Sequence, residues 1–128
     1  MRERPEVLIV DDDDYFRRIL LLHLDARGYD TVQAADGEQA VALTLERRPD
    51  VVLLDILMPK RDGWDALAEI RATPEVANTP VVMISGVPGA DRDPRADTLK
   101  PDAFLVKPFG PLTLIDTLSK LVKPPAGS

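Results

Sequence analysis

Four short aliphatic runs in this chain end in polar residues that suit metal and phosphate chemistry. These runs are VLIVDDDD at 7–14, VVLLDILMP at 51–59, VVMISG at 81–86 and FLVKPF at 104–109. The carboxylates of Asp11, Asp12 and Asp55 would repel one another in one site unless a cation such as Mg²⁺, which prefers oxygen ligands, lay among them. The hydroxyl of Ser85 and the ammonium group of Lys107 suit phosphoryl oxygens. A carboxylate nucleophile in such a pocket would form an aspartyl phosphate.

The spacing of the apolar residues predicts the elements that bring these groups together. Runs with the character of buried strands alternate with helical patterns, which predicts an α/β fold with a doubly wound parallel sheet. The carboxyl ends of the strands in such a sheet line one crevice, so the polar residues are expected to meet there. Strands are predicted at 6–10, 30–34, 51–55, 80–85 and 103–106, and helices at about 13–26, 37–47, 62–72 and 111–121.

The segment after Ser85 departs from this alternation. Its sequence, GVPGADRDPRADTLKPDA, contains three prolines and two glycines and has few apolar residues. Because Pro94 and Pro101 interrupt it, a regular helix has room for only a turn or two, at about 91–98. We therefore expect a short or irregular fourth helix within residues 86–102.

Composition narrows the class of protein. A chain of 128 residues with 45% hydrophobic and 30% charged residues is typical of one soluble domain, here with a core at 6–122 and a flexible tail at 123–128. The absence of cysteine excludes thiol catalysis and thiolate metal sites, and a single histidine cannot form a histidine cluster. A net charge of −6 without a basic run argues against direct nucleic-acid binding. The chain has no 18-residue apolar run and no signal-peptide pattern, so we expect a cytoplasmic protein without a membrane segment.

Together these motifs resemble the receiver domain of bacterial two-component response regulators. The resemblance extends from Val7 to Val122 and rests on the acidic pair, DILMP followed by DG at 62–63, the hydroxyl residue after the fourth strand and KPF after the fifth. It implies a flavodoxin-like five-stranded parallel sheet in the order 2-1-3-4-5. It also implies that the domain catalyses only its own phosphorylation and its own slow dephosphorylation and is not otherwise an enzyme.

The resemblance implies a phosphoacceptor and a metal site. Asp55 would accept the phosphoryl group, and Mg²⁺ would be held by Asp55, directly by Asp12, mostly through water by Asp11, and by the backbone carbonyl of Leu57. In receivers, the residues that flank the approach of a hydrolytic water correspond to Leu57 and Val87. Both are apolar and neither can orient a water molecule, so self-dephosphorylation is expected to be slow.

The resemblance further implies a switch that responds to phosphorylation. Ser85 would hydrogen-bond the phosphoryl group and Lys107 would pair with it, while the bond between Lys107 and Pro108 would be cis. Phe104 would be the aromatic residue that turns inward on the fifth strand. If the segment 86–102 is poorly helical, the output is expected to be an order–disorder change there.

Simpler interpretations account for several residues. Asp13 and Asp14 are expected to start a helix, because acidic groups favour a helix N-terminus. His23 lies on the predicted core-facing stripe and is expected to be packed and hydrogen-bonded, not a metal ligand. Trp64 is expected to pack on the third helix.

Three alternative functions remain to be compared with this one. A haloacid-dehalogenase-type phosphatase needs a second aspartate where this chain has Leu57. A flavodoxin-like FMN module needs a glycine- and hydroxyl-rich loop where this chain has DDDD at 11–14. A binding module that never becomes phosphorylated is the stronger alternative, although it would be expected to have lost part of the acceptor set.

The expected phosphodonor is a histidine kinase or a histidine phosphotransfer protein. Leu21 and Leu22 lie off the core stripe and are a candidate docking patch, although scattered exposed leucines need no explanation. Few residues follow Val122, so the chain is expected to be either a stand-alone receiver acting on a protein target or a fragment of a longer protein with a fused effector.

Overall fold

The computed structural model describes residues 4–58 and 62–125. Five strands alternate with five helices, in the order β1 (Glu6–Val10), α1 (Asp14–Ala26), β2 (Asp30–Ala34), α2 (Gly37–Arg47), β3 (Val51–Asp55), α3 (Gly63–Ala72), β4 (Val81–Ser85), α4 (Arg95–Leu99), β5 (Ala103–Val106) and α5 (Pro111–Leu121). The predicted strands and helices are therefore confirmed, with bounds that differ by at most one residue except at α4. Of the motifs quoted above, Pro59 of DILMP lies outside the described residues.

All five strands pair in parallel in the order β2-β1-β3-β4-β5, as the resemblance implied. Val10 lies opposite Leu54, and Asp55 lies opposite Ile84. Strands β1, β3 and β4 are buried along their whole length, because helices cover both faces of the sheet. This register brings the residues that follow β1, β3 and β4 to one edge.

The core consists of two apolar layers, one on each face of the sheet. One layer, with Leu8, Leu54 and Met83 from the strands, packs against α2 and α3. The other, with Ile9 and Leu53, packs against α1 and α5. Alternate residues of each strand thus serve opposite layers, as the pleat requires. Burial of these side chains is the main favourable term in the stability of the fold.

Aspartates start three of the helices. Asp13, Asp36 and Asp62 are the N-caps of α1, α2 and α3, and each carboxylate accepts backbone N–H groups from the first turn. Asp14 lies in the first turn of α1. The interpretation of Asp13 and Asp14 as helix-start residues is therefore confirmed.

The fourth connection is as short as its prolines predict. A single 3₁₀ turn (Ala90–Arg92) is followed by α4, which has five residues. All of residues 86–102 are described, and none of them is fully buried. The helix lies slightly later than the predicted range of 91–98, because Pro94 stands just before its first residue.

Both ends of the described chain contact the domain. The guanidinium group of Arg4 donates hydrogen bonds to Asp30, Asp25 and the carbonyl of Tyr29. Pro125 is buried, and a Cβ atom placed on Gly28 would lie 3.0 Å from the Cβ of Pro125. The flexible tail expected at 123–128 remains a prediction, and residues 126–128 lie outside the described residues. Across the parts of the chain that the structure describes, no helix is both long and apolar enough to span a membrane.

Candidate functional site

Three carboxylates meet at the carboxyl edge of the sheet. Asp11 and Asp12 follow β1, and Asp55 ends β3. One carboxylate oxygen from each lies within 4.8 Å of the others. Asp11 and Asp55 are buried and Asp12 is exposed, so the group opens to solvent on one side only.

Burial and charge make Asp55 a weaker acid than usual. Loss of solvent, together with the neighbouring charges of Asp11 and Asp12, raises the pKa of its carboxyl from 3.8 to about 6. The ammonium group of Lys107 and a hydrogen bond from the Ile56 N–H oppose this rise. Three carboxylates thus lie beside a single lysine ammonium among the described residues of the site, and this excess of negative charge favours the binding of a cation.

Lys107 brings a positive charge to this edge. Its Nζ donates a hydrogen bond to Asp11 Oδ2 at 2.8 Å and lies 3.7 Å from Asp55 Oδ1. It also lies 4.1 Å from the centre of the Phe16 ring, over the ring face. The peptide bond between Lys107 and Pro108 is cis, as the resemblance implied.

The loop that follows β1 is held from two sides. Asp11 Oδ1 accepts a hydrogen bond from the Asp13 N–H at 2.9 Å, so the acidic pair is tied to the start of α1. The guanidinium of Arg17 donates to the backbone carbonyl of Asp11 and to the side chain of Gln33 on β2. Arg17 therefore fixes the position of the acidic loop relative to two strands.

The hydroxyl of Ser85 is engaged in a local turn. Its Oγ accepts a hydrogen bond from the Val87 N–H at 2.9 Å and donates to the Val87 carbonyl at 3.3 Å. The Ser85 carbonyl accepts from the Lys107 N–H at 2.8 Å, which joins the ends of β4 and β5. Ser85 is buried at the same edge as Asp55, and its hydroxyl already has a partner.

A family model for the response regulator receiver domain matches residues 7–119. The chain belongs to this family. The receiver domain is 42% identical over 115 residues to a probable transcriptional regulator, ycf27, of Guillardia theta, a match that covers 89% of this chain and 44% of the relative. The DNA-binding dual master transcriptional regulator RpaA of Synechocystis is 32% identical over 105 residues, covering 82% of this chain and 44% of the relative. The chain therefore spans about half the length of these curated relatives.

Solved structures support the same assignment. The chemotaxis response regulator CheY4 of Vibrio cholerae superposes with a TM-score of 0.86 at 30% identity, covering 93% of this chain and 99% of that one. The flavodoxin-like fold of the receiver domain is thereby confirmed. The earlier expectation of no direct nucleic-acid contact is not supported for a longer protein of this type, because some relatives are named as DNA-binding regulators.

The receiver domain brings together most of the residues singled out from its sequence. The structure places Asp11, Asp12, Asp55 and Lys107 at one edge, with Ser85 beside them. The side chain of Leu57, the residue whose carbonyl was expected to bind metal, is 65% exposed. His23 is only partly buried, which differs from the core position predicted for it, because it lies in the last turn of α1 near the edge of the packed face.

Two residues near the site were missed from the sequence. Neither Phe16 nor Arg17 was predicted to lie at the site. Both follow the capping residue Asp13 by one helical turn, which places them over the strand ends. That spacing was available in the sequence, but an apolar residue at helical spacing is ordinarily interpreted as core.

The expected switch residue Phe104 belongs to an aromatic stack on the other face. Its ring lies 6.1 Å from that of Trp64 on α3, and the Arg95 guanidinium lies 5.1 Å from the Trp64 ring centre. Trp64 is buried, which confirms that it packs. Arg95 thus joins α4 to α3 and, through Trp64, to β5.

Proposed function

We propose that this receiver domain accepts a phosphoryl group on Asp55 from a phosphohistidine of a histidine kinase or phosphotransfer protein. The observation that carries the proposal is the edge itself, where a buried acceptor carboxylate lies 3.7 Å from a lysine ammonium and within 4.8 Å of two further carboxylates. A carboxylate oxygen of Asp55 forms a bond to phosphorus while the phosphorus–nitrogen bond of the donor breaks. The electron pair leaves with the imidazole nitrogen, and an acyl phosphate remains.

The donor set fits Mg²⁺, because three close carboxylates supply the hard oxygen ligands that this ion prefers. Asp11, Asp12, Asp55 and the backbone carbonyl of Leu57 would hold it. When bound, Mg²⁺ would neutralise charge on the carboxylates and on the phosphoryl oxygens. Lys107, whose Nζ lies 3.7 Å from Asp55 Oδ1, supplies a positive charge from the protein itself.

Ser85 and Phe104 provide the switch in this proposal. For Ser85 to donate a hydrogen bond to a phosphoryl group on Asp55, its hydroxyl must turn away from the Val87 carbonyl, which loosens the turn between Ser85 and Val87 at the start of the segment 86–102. Phe104 has no hydroxyl group, so an inward rotation buries its ring without a new hydrogen-bond partner. The segment has no buried residue of its own, which supports an order–disorder output.

Hydrogen exchange with and without beryllofluoride tests this output. Exchange across 86–102 is expected to change on addition of beryllofluoride, most of all at the Val87 amide. Unchanged protection throughout the segment would contradict the proposed switch.

The lifetime of the phosphorylated state depends on two exposed apolar side chains. Leu57 is 65% exposed and Val87 is 52% exposed, and neither offers a group that orients water. We infer that, once phosphorylated, the domain slowly removes its own phosphoryl group and catalyses no other reaction. Decay of the phosphorylated state is expected to quicken in the double variant Leu57→Asn, Val87→Glu, and an unchanged decay rate would contradict this inference.

The setting of the domain follows from the same proposal. We place it in the cytoplasm, where its phosphodonors reside, without a membrane contact. Its output partner is a protein target or an effector fused to it in a longer chain. The half-length match to named transcriptional regulators supports a DNA-binding effector as one such fusion.

Intact mass after incubation with acetyl phosphate and Mg²⁺ tests the proposed function. The wild-type chain is expected to gain the mass of one phosphoryl group, and Asp55→Asn is expected to gain none. A matched control is Asp91→Asn, which changes an exposed carboxylate on the 3₁₀ turn and should leave the gain intact. No gain in the wild type would instead favour the phosphorylation-independent binding module, whereas a gain that survives Asp55→Asn would contradict Asp55 as the phosphoacceptor.

A further inference from the structure

The ammonium group of Lys107 is enclosed by three neighbours, and one of them is an aromatic ring. Asp11 accepts its hydrogen bond, Asp55 lies 3.7 Å away, and the face of Phe16 lies beneath it with the ring centre at 4.1 Å. The face of a benzene ring carries partial negative charge and attracts a cation placed over it. Lys107 is thus restrained on the side of α1 as well as on the side of the carboxylates.

The Phe16 ring is itself fixed in place. It meets the ring of Phe109 edge to face, with centroids 5.9 Å apart and an interplanar angle of 89°. Its backbone N–H donates to the capping carboxylate of Asp13, whose own N–H donates to Asp11. The ring, the helix start and the acidic pair therefore form one connected unit around Lys107.

From this geometry we propose that Phe16 is a positioning residue for Lys107. The ring face holds the ammonium group over Asp55, where it can meet phosphoryl oxygens during transfer. Without the ring, the flexible lysine stem is free to turn its ammonium group toward solvent, since the side chain is already 27% exposed. This proposal deepens the proposed function and depends on it for its kinetic consequence, but the contact itself is independent of phosphorylation.

Ordinary core packing makes a different prediction, and two substitutions separate the two roles. Phe16→Leu keeps an apolar side chain on α1 but removes the ring face. Phe16→Tyr keeps the ring face. If Phe16 acts only as packing, the two variants should affect Lys107 in the same way.

Proton NMR of the metal-free protein measures the contact directly. Protons above a ring face are shifted upfield, so the ε-methylene signal of Lys107, assigned by its loss in Lys107→Arg, is expected to lie upfield in the wild type and in Phe16→Tyr. It should move downfield in Phe16→Leu. Equal shifts in wild type and Phe16→Leu would overturn the proposal.

The rate of phosphorylation by acetyl phosphate with Mg²⁺ measures the consequence. Loss of the ring in Phe16→Leu is expected to slow phosphorylation roughly three- to ten-fold, the factor that corresponds to an ordinary cation–ring attraction. Phe16→Tyr should retain the wild-type rate, as should the control Tyr15→Leu, which changes an exposed neighbour on the same helical turn. Phe16→Met serves as a second ring-free variant if Phe16→Leu does not fold, as judged by circular dichroism.

The outcomes distinguish this proposal from the proposed function. A wild-type chain that takes up no phosphoryl group contradicts the proposed function, whatever the NMR shift. An active wild type with an equally active Phe16→Leu contradicts the role of Phe16. Equal losses in Phe16→Leu and Phe16→Tyr would also overturn it, because the ring face would then not be the cause.

Discussion

The acceptor edge and the connecting segment are built in opposite ways. The acceptor edge comprises Asp11, Asp12, Asp55 and Lys107. The three aspartates lie at the ends of β1 and β3, which are buried along their whole length, and the Lys107 N–H donates a hydrogen bond to the carbonyl of Ser85. The connecting segment, residues 86–102, has no buried residue, although all of it is described. Packing therefore fixes the chemical groups, whereas the segment beside them has only partly buried apolar residues, Ala90, Ala96 and Leu99, and depends largely on polar contacts.

Two arginines supply most of those polar contacts. Arg95 lies within the segment, and Arg71 on α3 binds the end of the segment. Arg95 pairs with Asp93 and lies over Trp64. The Arg71 guanidinium, on α3, donates to five acceptors that span the α3–β4 loop and the end of the segment: the carbonyls of Ala77, Thr79, Leu99 and Lys100 and the carboxylate of Asp102. A region held in this way opens at lower free energy than the sheet.

The largest expected effect on stability comes from removing the charge of Asp55, which destabilises the acceptor edge. Because the pKa of Asp55 is raised from 3.8 to about 6 in the fold, its ionised form weakens the metal-free protein above pH 6. Asp55→Asn in EDTA should therefore raise the free energy of unfolding at pH 7 by about 2 to 3 kcal/mol, as measured by urea denaturation. The gain should decline as the pH falls from 6 toward 3.8 and disappear below 3.8, where the carboxyl becomes neutral in both states.

The control for that measurement lies in the connecting segment. Asp91→Asn changes an exposed carboxylate, and its unfolding free energy should stay within about 0.5 kcal/mol of the wild type. Equal stability of Asp55→Asn and the wild type at pH 7 would show that the acceptor edge carries no such electrostatic cost.

A second prediction compares Gly63, which packs against the backbone of Asp55 and Ile56, with Gly86 in the connecting segment. A Cβ on Gly63 would lie 2.8 Å from Ile56 Cα and closer still to the Asp55 carbonyl oxygen, both of them backbone atoms that cannot turn aside. Gly63→Ala should lower the free energy of unfolding by about 2 kcal/mol. Gly86→Ala, where a Cβ would have no neighbour within 4 Å, should be neutral or slightly stabilising. Similar urea midpoints for the two variants would remove the contrast in packing.

A third prediction concerns the anchor at the end of the segment. Arg71→Lys loses the planar guanidinium and leaves several carbonyls without a donor, so stability should fall by about 1.5 kcal/mol. Hydrogen exchange should quicken at 97–102 and leave β1 unchanged. Arg92→Lys, on the exposed 3₁₀ turn, is the control, and a comparable change in that variant would count against a special role for Arg71.

The smallest expected effect is a local one. Arg95→Gln removes the guanidinium from the Trp64 face and should quicken amide exchange at 93–97 without a measurable shift of the urea midpoint. Arg18→Gln changes an exposed arginine on α1 and should leave these amides as they are. Wild-type exchange at 93–97 in Arg95→Gln would mean that other contacts hold α4.

The sheet and its helices could be predicted because each is encoded locally. Aliphatic runs such as 51–55 and capping residues such as Asp13 and Asp62 determine the backbone conformation within a few residues of their own positions. The short α4 could also be predicted, because Pro94 and Pro101 restrict the backbone directly. Convergence of the carboxylates followed from parallel topology.

Contacts between distant side chains could not be predicted in the same way. The five acceptors of Arg71 depend on where two loops pass, and the Phe16 ring reaches Lys107 only because α1 and the end of β5 are adjacent. His23 was placed too deep because the helical period gives a direction, not a distance from the surface. The burial of Pro125 against Gly28 is likewise a contact between separated parts of the chain.

The indole of Trp64 gives this domain an optical probe of its own. It is the only tryptophan in the chain, and it lies between the Phe104 ring of the sheet and the Arg95 cation of α4. A nearby cation and the polarity around an indole both alter its emission. Departure of α4 or rotation of Phe104 should therefore change the fluorescence of the unlabelled protein, so that the connecting segment can be followed in real time while a phosphodonor acts on the acceptor edge.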